Sequence, residues 1–512
     1  MSYCNSVLDL IEGQAIINKD KIAFTDPAKE ISFGQLYLFS RKIGTFLAGR
    51  IEKRSPVSFY MEKSCDAVVG MFGAVYAGGF YSFLDVRQPV VRAESILNTL
   101  KPRVVFTDAS MLDKAKELSL PKGCELILLE ELISKMDELP VDDEKLGSIR
   151  ALSQDIDPLY VNFTSGSTGV PKGVTVCHRS VLEFIGYFVD IFGIEEGDVL
   201  GNQAPFDFDV SVKDVYSGLM TGARTALIPR DYFSNPMTLM DYLADQKVTV
   251  IVWAVSAMCF VSIMNGLEYR NPESIRMIMF SGEVMPVKHL NHWKKFLKEA
   301  TYVNLYGPTE ITCNCSYHVL DREYEENEVI PAGIPFPNEH VFLLDEEDKL
   351  ITEPGMEGEI CVTGTSLALG YYGDKDKTDA AFMQNPLNKL FHEMMYRTGD
   401  IGRYDENGIL YYVSRKDFQI KHMGHRIELG EIEVAAMATD GVTRACCIYE
   451  PDKKKLILFY TGDKDKKELQ AHLKEDLPPY MIPSTVKALK EMPVNKNGKI
   501  DRTYLLKEWK NL

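Results

Sequence analysis

The stretch IRMIMFSG at residues 275–282, followed by VKHLNHWKKFLKE at 287–299, shows the pattern that decides the architecture. The first run is nearly all apolar, as in a strand buried on both faces, whereas the second spaces its apolar residues at a helical interval. The same features predict strands at PRVVFTDA (102–109), TALIPRD (225–231) and VTVIVWAV (248–255), and a helix at SVLEFIGYFVDIF (180–192). Strands that alternate with helices predict an α/β fold of largely parallel sheets covered by helices.

The length of 512 residues exceeds what one hydrophobic core normally supports, so more than one domain is expected. Glycine and proline become frequent between residues 332 and 410, which indicates a smaller, β-rich, barrel-like subdomain. After Arg415 a compact set of short strands and helices follows. We therefore predict a large domain at residues 1–416, which includes the β-rich subdomain, and a small α+β domain at 417–512, with the boundary within 414–418.

The overall charge limits the class of partner. Lysine and arginine total 57 and aspartate and glutamate total 74, which gives a formal net charge of −17. This balance argues against a general binder of nucleic acid or of anionic membranes. The N-terminus lacks a basic-then-apolar signal pattern and the ten cysteines are scattered, so we expect reduced thiols and a cytoplasmic location.

One segment, at residues 67–84, is uncharged over a length close to that of a membrane span. The Gly78-Gly79 pair and the flanking Asp66 and Asp85 favour a buried helix, a break and a buried strand instead. We therefore predict no membrane span.

Cys313, Cys315 and His318 form the cysteine and histidine cluster whose spacing is closest to that of metal ligands. On a strand, Cys313 and Cys315 would share one face and His318 would lie on the other. No second ligand pair lies nearby in the sequence, so packing is the better explanation.

The stretch FTSGSTGVPKG at 163–173 has the composition of an anion-binding loop. Its glycines let backbone N–H groups approach a phosphate, its hydroxyls add donors, and Lys172 adds a positive charge. It departs from the usual NTPase loop, because Pro171 precedes Lys172 and Gly173 follows it. The strand-like LYVNF before the loop and the helix predicted from Arg179 argue against a plain surface loop.

FTSGSTGVPKG resembles the phosphate loop of the adenylate-forming superfamily, which includes acyl-CoA synthetases, luciferases and the adenylation enzymes of nonribosomal peptide synthesis. Further stretches match in the same order, namely NLYGPTE (304–310), YRTGD (396–400), SRKDFQIKHMGHRIELGEIE (414–433) and PVNKNGKIDR (493–502). The resemblance covers nearly the whole chain. DFQIK and FSGEVMP are most similar to D-alanine–carrier-protein ligases, whereas GHRIELGEIE is more similar to peptide-synthetase adenylation domains.

The resemblance implies that the chain uses ATP and Mg²⁺. Glu310 matches the carboxylate that binds Mg²⁺, Tyr306 the ring that stacks on adenine, and Asp400 the acceptor of the ribose hydroxyls. Lys499 matches the catalytic lysine, which reaches both the substrate carboxylate and the α-phosphate. The implied nucleotide-binding set is Thr164, Ser165, Gly166, Ser167, Thr168, Gly169, Lys172, Asn304, Leu305, Tyr306, Gly307, Pro308, Thr309, Asp400, Tyr412, Arg415 and Lys499.

Members of this superfamily work in two half-reactions. A carboxylate attacks the α-phosphate of ATP and releases pyrophosphate, and a thiol then attacks the acyl adenylate. The resemblance identifies Asp417 as the hinge of a mobile C-terminal domain. It also implies that Lys421 and Gly424 enter the site for the thiol step.

The stretch APFDFDVSVKDVYSGLMTG at 204–222 bears on the acid that is activated. Strand alternation would place Asp207 and Asp209 on one face, opposite Phe206 and Phe208. By the resemblance Asp209 binds the α-ammonium of an amino acid, which acyl-CoA synthetases and luciferases do not need. The implied substrate pocket is Asp209, Val210, Lys213, Ser256, Met279, Ser281, Leu305, Cys313 and Asn314.

The pocket residues favour a small amino acid such as alanine or serine. D-alanine ligases usually have cysteine where Ser281 stands and an apolar residue where Lys213 stands. Lys213 has three open interpretations: it turns outward, it fills the pocket with its stem, or it pairs with an acidic or polar substrate side chain.

The leading hypothesis is an ATP-dependent amino-acid ligase that loads the phosphopantetheine thiol of a separate acyl or peptidyl carrier protein. An acid–CoA ligase and a luciferase-like oxidase are alternatives that Asp209 disfavours. A catalytically inactive binding protein on this fold is a third. Retention of Glu310, Asp400, Arg415 and Lys499 argues against that one.

Overall fold

The computed structural model of the protein describes residues 4–166, 169–326, 328–416, 419–451, 453–494 and 500–511. The helices are Leu8–Ile17, Phe33–Leu47, Cys65–Tyr76, Val90–Leu100, Leu112–Lys116, Leu129–Ser134, Asp143–Ala151, His178–Phe192, Val210–Thr221, Pro236–Asp245, Val255–Ile263, Gly266–Tyr269, Val287–Phe296, Lys375–Ala381, Leu429–Met437, Lys466–Asp476 and Arg502–Glu508. Short 3₁₀ turns occur at Arg230–Ser234, Thr309–Ile311 and Pro479–Met481.

The first sheet contains the strands predicted at 225–231, 248–255 and 275–282. In spatial order its strands are Ile334–Pro335, Ser316–Val319, Thr301–Tyr306, Met277–Ser281, Val250–Ala254, Val199–Asn202, Arg224–Leu227, Ile22–Thr25 and Glu30–Ser32. Its central strands are parallel and in register, so Phe280 lies beside Trp253 on one neighbour and Asn304 on the other. Parallel strands direct their carboxyl ends to one edge of the sheet, where ligands bind in such folds.

The second sheet carries the phosphate-loop candidate. Its strands in spatial order are Gly370–Tyr371, Lys172–Cys177, Pro158–Thr164, Phe80–Phe83, Pro56–Tyr60, Val104–Thr107 and Glu125–Leu128. Pro158–Thr164 and Lys172–Cys177 are antiparallel, with Thr164 opposite Lys172. The loop therefore lies at the tip of a hairpin, and a strand that the sequence did not predict separates it from the helix His178–Phe192.

The helix Val210–Thr221 lies between the two sheets and is buried over most of its length. Tyr216 on this helix packs edge-to-face on Phe72, with ring centroids 6.0 Å apart, and shares a 2.8 Å hydrogen bond with the hydroxyl of Tyr81 on the second sheet. A helix buried on all sides must be apolar or have its polar groups satisfied. Asp209 is the N-cap residue of this helix and lies at the candidate site.

The uncharged segment at 67–84 forms the predicted helix, break and strand. Ser64 caps the helix Cys65–Tyr76 by accepting a hydrogen bond from the Ala67 N–H. Gly78 has a φ of +77°, a left-handed conformation that favours glycine, and it turns the chain into Phe80–Phe83. Across the described ranges, no helix combines the length and apolar character needed to cross a bilayer.

The glycine- and proline-rich part forms a separate antiparallel sheet. Its strands are Leu350–Ile351, Glu339–Leu344, Glu357–Gly364, Met394–Tyr404, Phe382–Gln384 and Leu410–Arg415, the last of which pairs with Met394–Tyr404. This register places Asp400 directly opposite Arg415. The helix-covered parallel sheets and this β-rich sheet confirm the predicted fold class.

The chain beyond residue 418 has a core of its own. A hairpin joins Gln419–His422 to His425–Glu428, and a mixed sheet is formed by Val442–Glu450, Lys455–Gly462 and Thr485–Ala488. Ile432, Leu458 and Leu473 are buried together in this core. The boundary within 414–418 stays a prediction, because Asp417 and Phe418 lie outside the described residues.

Candidate active site

A cavity lies where the two sheets, the β-rich sheet and the C-terminal hairpin meet. Its wall is contributed by stretches that are far apart in the sequence. The wall includes Thr164, Ser165, Asp207, Phe208, Asp209, Val210, Ser281, Gly282, Gly307, Pro308, Thr309, Cys313, Asn314, Asp400, Arg415, Lys421, Gly424, His425 and Arg426.

The phosphate-loop candidate faces the C-terminal hairpin across this cavity. The Ser165 hydroxyl is buried and donates to the Arg426 carbonyl at 2.6 Å, and it accepts a hydrogen bond from the Glu428 N–H at 3.1 Å. Lys172 Nζ lies 3.7 Å from Glu310 Oε1 and 3.9 Å from Glu428 Oε1. Burial, helped by the nearby Arg426 charge, lowers the pKa of Lys172 to about 8. Ser167 and Thr168 lie outside the described residues.

Glu310 is fully buried beside the loop, in the 3₁₀ turn Thr309–Ile311 that follows the strand Thr301–Tyr306. Its Oε1 accepts a 2.8 Å hydrogen bond from the Tyr371 hydroxyl, and its Oε2 accepts one of 2.7 Å from Arg426 Nη1. Burial alone would raise the pKa of Glu310, but Arg426 and Lys172 outweigh it and hold the pKa at about 2. The site thus contains an ionised hard-oxygen donor, which suits Mg²⁺ shared with phosphate oxygens.

Asp400 and Arg415 form a second polar group at the cavity edge. Arg415 Nη1 donates to Asp400 Oδ1 at 2.6 Å, and the Tyr306 hydroxyl donates to Asp400 Oδ2 at the same distance. The rings of Tyr306 and Tyr412 have centroids 6.3 Å apart. A buried carboxylate oriented in this way retains lone pairs that can accept from two adjacent hydroxyls.

Asp209 does not lie on a strand, contrary to the alternation argument. The chain turns between Pro205 and Ser211, where Phe208 N–H donates to the Pro205 carbonyl, and Asp209 starts the helix Val210–Thr221. Phe208 and Asp209 therefore both line the cavity, so the prediction that they occupy opposite faces is wrong.

The Asp209 carboxyl is buried at the cavity wall. Burial raises its pKa, while the Lys213 charge and a hydrogen bond with Thr309 act in the opposite direction. The Cys313 thiol donates to the Asp209 carbonyl at 3.0 Å. A positively charged group on a ligand would stabilise the ionised form of this carboxyl, because burial makes the charged form unfavourable.

Lys213 is almost completely buried, and its ammonium donates to Asn314 Oδ1 at 2.6 Å. Of the predicted substrate-pocket residues, Val210, Ser281, Cys313 and Asn314 line the cavity together with Asp209. Among the described residues the wall does not include Lys213, Ser256, Met279 or Leu305. Met279 is fully buried in its strand, and Leu305 lines a neighbouring cavity of about 840 Å³.

That neighbouring cavity also receives the other nucleotide-binding candidates. Asn304, Tyr306, Tyr412 and Arg415 line it, and so does Lys421, which the resemblance assigned to the thiol step. The Asn304 side-chain amide donates to the Pro331 carbonyl at 2.7 Å, which fixes its orientation.

The C-terminal hairpin brings Lys421 and Gly424 to the cavity. Met423 and Gly424 have φ values of 53° and 81°, as in the tight turn that matches the twist of a two-stranded hairpin. Gly424 N–H donates to Glu283 Oε1 at 2.6 Å, and Ser256 Oγ lies near the Gly424 backbone. Lys421 Nζ lies 5.9 Å from the centroid of the Tyr306 ring, and burial lowers its pKa. Asp417 and Lys499 lie outside the described residues.

The sequence reasoning missed Arg426, Glu428, Tyr371 and Glu283 as site residues. The first two stand in the stretch GHRIELGEIE, which was used only to recognise the family. Glu283 stands in FSGEVMP, which likewise served only for the resemblance, whereas Tyr371 stands in a stretch with no anion- or cation-binding pattern, so only its tertiary position reveals it.

The family model described as AMP-binding enzyme matches residues 11–372, and the model described as AMP-binding enzyme C-terminal domain matches residues 431–499. The D-alanine–D-alanyl carrier protein ligase of Bacillus licheniformis is 32% identical, over 98% of this chain and 99% of that protein. Zwittermicin A synthase ZmaJ of Bacillus cereus is 30% identical, over 99% of this chain and 95% of that protein.

Other relatives are much longer than this chain. Tyrocidine synthase 1 of Brevibacillus parabrevis is 29% identical over 98% of the chain, which spans 45% of that protein. Among solved structures, the Vibrio cholerae adenylation domain AlmE in complex with glycyl-adenosine-5'-phosphate superimposes with a TM-score of 0.85 at 20% identity, over 100% of this chain and 99% of that one. That likeness supports the fold.

Proposed function

This chain belongs to the AMP-binding enzyme family, and we propose that it is an AMP-forming ligase that activates a small amino acid and passes it to a carrier-protein thiol. Membership in the family supports the formation of an acyl adenylate as the reaction. The choice of an amino acid rests on one observation, the buried Asp209 carboxyl in the wall of the cavity that also holds Ser165, Thr309, Asp400 and Arg415.

In this proposal Asp209 binds the α-ammonium group of the substrate. Pairing with a cation offsets the cost of burying the carboxylate, and it holds the substrate carboxylate toward the nucleotide side of the cavity. Fatty and aryl acids carry no such cation, so they would desolvate Asp209 further without pairing with it. This is why an acid–CoA ligase fits less well.

The substrate side chain would occupy the space lined by Val210, Ser281, Cys313 and Asn314. Asn314 is held by the buried ammonium of Lys213, whose stem fills the volume behind it. The Lys213 charge is already offset by Asp209 and Asp214, since its field lowers the pKa of both carboxyls against the effect of burial. An acidic substrate side chain would add a further negative charge here, so a small neutral amino acid fits better.

ATP would bind with its ribose at Asp400 and Arg415 and its phosphates toward Ser165 and Lys172. Glu310 would hold Mg²⁺, which when bound neutralises charge on the phosphate oxygens. Transfer at phosphorus needs alignment and charge stabilisation more than covalent help from protein groups. Lys499, by its motif, would supply that charge during the first half-reaction.

Transfer to a carrier is supported by the relatives. The Bacillus licheniformis relative is named as a carrier protein ligase, and a solved neighbour at 22% identity contains adenylation and PCP domains. The neighbouring cavity of about 840 Å³ shares Gly282, Arg415 and Lys421 with the first cavity and gives a long thiol arm room to approach.

Amino-acid-dependent exchange of pyrophosphate into ATP, measured across the twenty amino acids, glycine included, plus D-alanine, tests the proposal. We expect the strongest exchange with a small neutral amino acid. Exchange with fatty or aryl acids but with no amino acid would contradict it, and exchange with no acid at all, under conditions where the protein binds ATP, would favour an inactive binding protein.

A further inference from the structure

Lys63 lies in the loop between the strand Pro56–Tyr60 and the next helix, and the sequence motifs assigned it no role. Its ammonium donates to the carbonyls of Asn202 and Gln203 at 2.9 and 2.7 Å, and to Asn202 Oδ1 at 2.9 Å. A weaker contact of 3.3 Å reaches the carbonyl of Ala204. Four oxygens of one short segment thus surround a group that carries three protons, so residues 202–204 satisfy the ammonium completely.

The segment 202–204 is the base of the loop that carries Asp209. It begins at the end of the strand Val199–Asn202, and Asp209 follows five residues after its last residue. Gln203 is also held from the opposite side, because its Oε1 accepts a hydrogen bond from the Ala254 N–H at 3.3 Å. The loop to Asp209 therefore starts from a fixed point, and the Lys63 ammonium is one of the groups that fix it.

Asn202 extends the contacts of Lys63 to the helix that Asp209 caps. Its Nδ2 donates to Asp214 Oδ2 at 2.9 Å, and Asp214 lies within the helix Val210–Thr221. Asp214 is completely buried, and its Oδ1 has no hydrogen-bond partner among the described residues. The Asn202 amide accepts from the ammonium and donates to the carboxylate, so it joins the two charges in one hydrogen-bonded chain.

The charges along this chain support one another. Burial lowers the pKa of Lys63 to about 7, while the nearby charges of Asp214 and Glu62 act in the opposite direction. Burial also raises the pKa of Asp214 to about 7, against the Asn202 hydrogen bond and the charges of Lys213 and Lys63. A buried charge is costly unless it is paired, so loss of the Lys63 ammonium would weaken the compensation of Asp214.

We propose that Lys63 is a positioning residue for the ammonium group of the substrate. Among the described residues, its hydrogen bonds go to 202–204 and to no group assigned to substrate or nucleotide. It acts on Asp209 from two sides, through the base of the loop and through the Asn202–Asp214 contact with the helix. The inference rests on the proposed function, because it takes Asp209 as the partner of the α-ammonium.

Pyrophosphate exchange with the amino acid that gives the strongest signal measures this role. Lys63→Met keeps a long side chain but removes the ammonium, so the KM for the amino acid should rise about tenfold, as expected for loss of a hydrogen-bonded charge. The KM for ATP should change by less than about twofold, because the nucleotide groups Asp400 and Arg415 lie on other strands. Lys63→Arg retains the charge and several donors, so it should keep the KM for the amino acid within about threefold of the natural value.

A double-mutant cycle with Asp209→Ala separates positioning of Asp209 from a general loss of stability. If Lys63 acts through Asp209, then Lys63→Met should raise the KM for the amino acid by less than about twofold once Asp209 has been replaced. The same factor in both backgrounds would overturn the inference. An unchanged KM in Lys63→Met alone would also overturn it.

Lys42→Met is the matched control. Lys42 is about as exposed as Lys63, and its Nζ also donates to a backbone carbonyl, that of Met136. Neither Lys42 nor Met136 belongs to the wall of the cavity. The KM for the amino acid should therefore stay within about twofold of the natural value in this variant.

Lys63→Gln provides a milder replacement if Lys63→Met fails to fold. It keeps two N–H donors without the charge, so the KM for the amino acid should rise about threefold, and only while Asp209 is present. Exchange with other acids but with no amino acid would contradict the proposed function, and the inference with it. Independent effects of Lys63 and Asp209 in a protein that does exchange with amino acids would contradict the inference alone.

Discussion

Lys213 Nζ lies 2.6 Å from Asn314 Oδ1, and this contact joins the first turn of a buried helix to the loop after Glu310. The pair bridges 101 positions of sequence and holds the side chain of Asn314, which lines the cavity. Lys213 is almost completely buried, so its side chain does not reach solvent, and its part in substrate selection stays a prediction.

Replacement of Lys213 should change the size of amino acid that is accepted. Lys213→Ala opens space behind Asn314, so pyrophosphate exchange with the preferred small amino acid should fall about tenfold and exchange with larger apolar amino acids should rise. Lys213→Met retains the volume and should keep the preference for small substrates. A different result would be that the natural protein prefers aspartate or glutamate and that Lys213→Met loses exchange with these two amino acids alone. In that case the Lys213 ammonium binds the side-chain carboxylate of the substrate.

Asp209→Ala should weaken binding of the amino acid selectively. Removal of one partner from a buried ion pair costs about 3 kcal/mol, which corresponds to a roughly hundredfold rise in the KM for the amino acid. The KM for ATP should change less than threefold. Asp207→Asn, which alters another acid on the same cavity wall, serves as the control. Equal KM changes for both substrates would remove the assigned role.

Gly424→Ala should slow the thiol step and spare the adenylation step. Gly424 has a φ of +81°, and a residue with a side chain pays about 1–2 kcal/mol in that conformation. Transfer from pre-formed adenylate should therefore slow by about tenfold, while exchange stays within twofold. Gly373→Ala provides the control, because Gly373 has a φ of +70° but open space around it. Loss of exchange in Gly424→Ala would contradict the assignment.

Lys499→Ala should have the opposite effect. The motif assigns Lys499 to charge stabilisation in the first half-reaction, and loss of one such group typically costs a factor of about 100 or more. Single-turnover transfer from supplied aminoacyl adenylate should remain near the natural rate. Lys496→Ala, in the same NKNGKIDR stretch, is the matched control. Equal loss in both steps would argue against a lysine that acts in only one of them.

His178 should make stability depend on pH. Its Nδ1 accepts a 3.2 Å hydrogen bond from the Val7 N–H, and burial, together with Arg150, lowers the pKa of His178 to about 4. Between pH 6.5 and pH 4 the unfolded state therefore binds a proton at His178 that the folded state does not bind. The contribution of His178 to the free energy of unfolding is complete above the ordinary histidine pKa near 6.5. It declines as the pH falls from there toward 4, by up to about 3 kcal/mol. Acidic groups nearby at Asp157, Asp9 and Asp155 oppose part of this effect.

Urea unfolding at pH 7 and pH 5 measures that dependence. His178→Asn retains an acceptor for the Val7 N–H and cannot be protonated, so its stability should fall less between the two values. The exposed His392→Asn should behave like the natural protein. The same pH slope in His178→Asn and in the natural protein would show that other groups govern the decline.

The recognition of the family from its motifs is confirmed by the family models, which match residues 11–372 and 431–499. The strands at 250–254 and 277–281 and the helix at 287–296 were predictable because apolar periodicity reports directly on local structure. The prediction failed at Phe208 and Asp209, where a hydrogen-bonded turn overrides the alternating pattern. The strand Lys172–Cys177 was missed because Pro171 and Gly173 interrupt the run of apolar residues that would indicate a strand.

The sequence by itself determined the membership of the family, the α/β architecture and the chemistry available at the phosphate loop, because each of these depends on residues adjacent in the chain. Only the tertiary structure decided that Arg426 binds Glu310, that the Lys213 ammonium holds Asn314, and that Ser165 contacts Arg426 and Glu428 of the C-terminal part. These pairs lie 116 and 101 positions apart for Arg426–Glu310 and Lys213–Asn314. Which groups pair depends on how the helices and strands pack, because a buried charge is costly unless an opposite charge or a hydrogen-bond partner lies beside it. No local sequence pattern specifies that pairing.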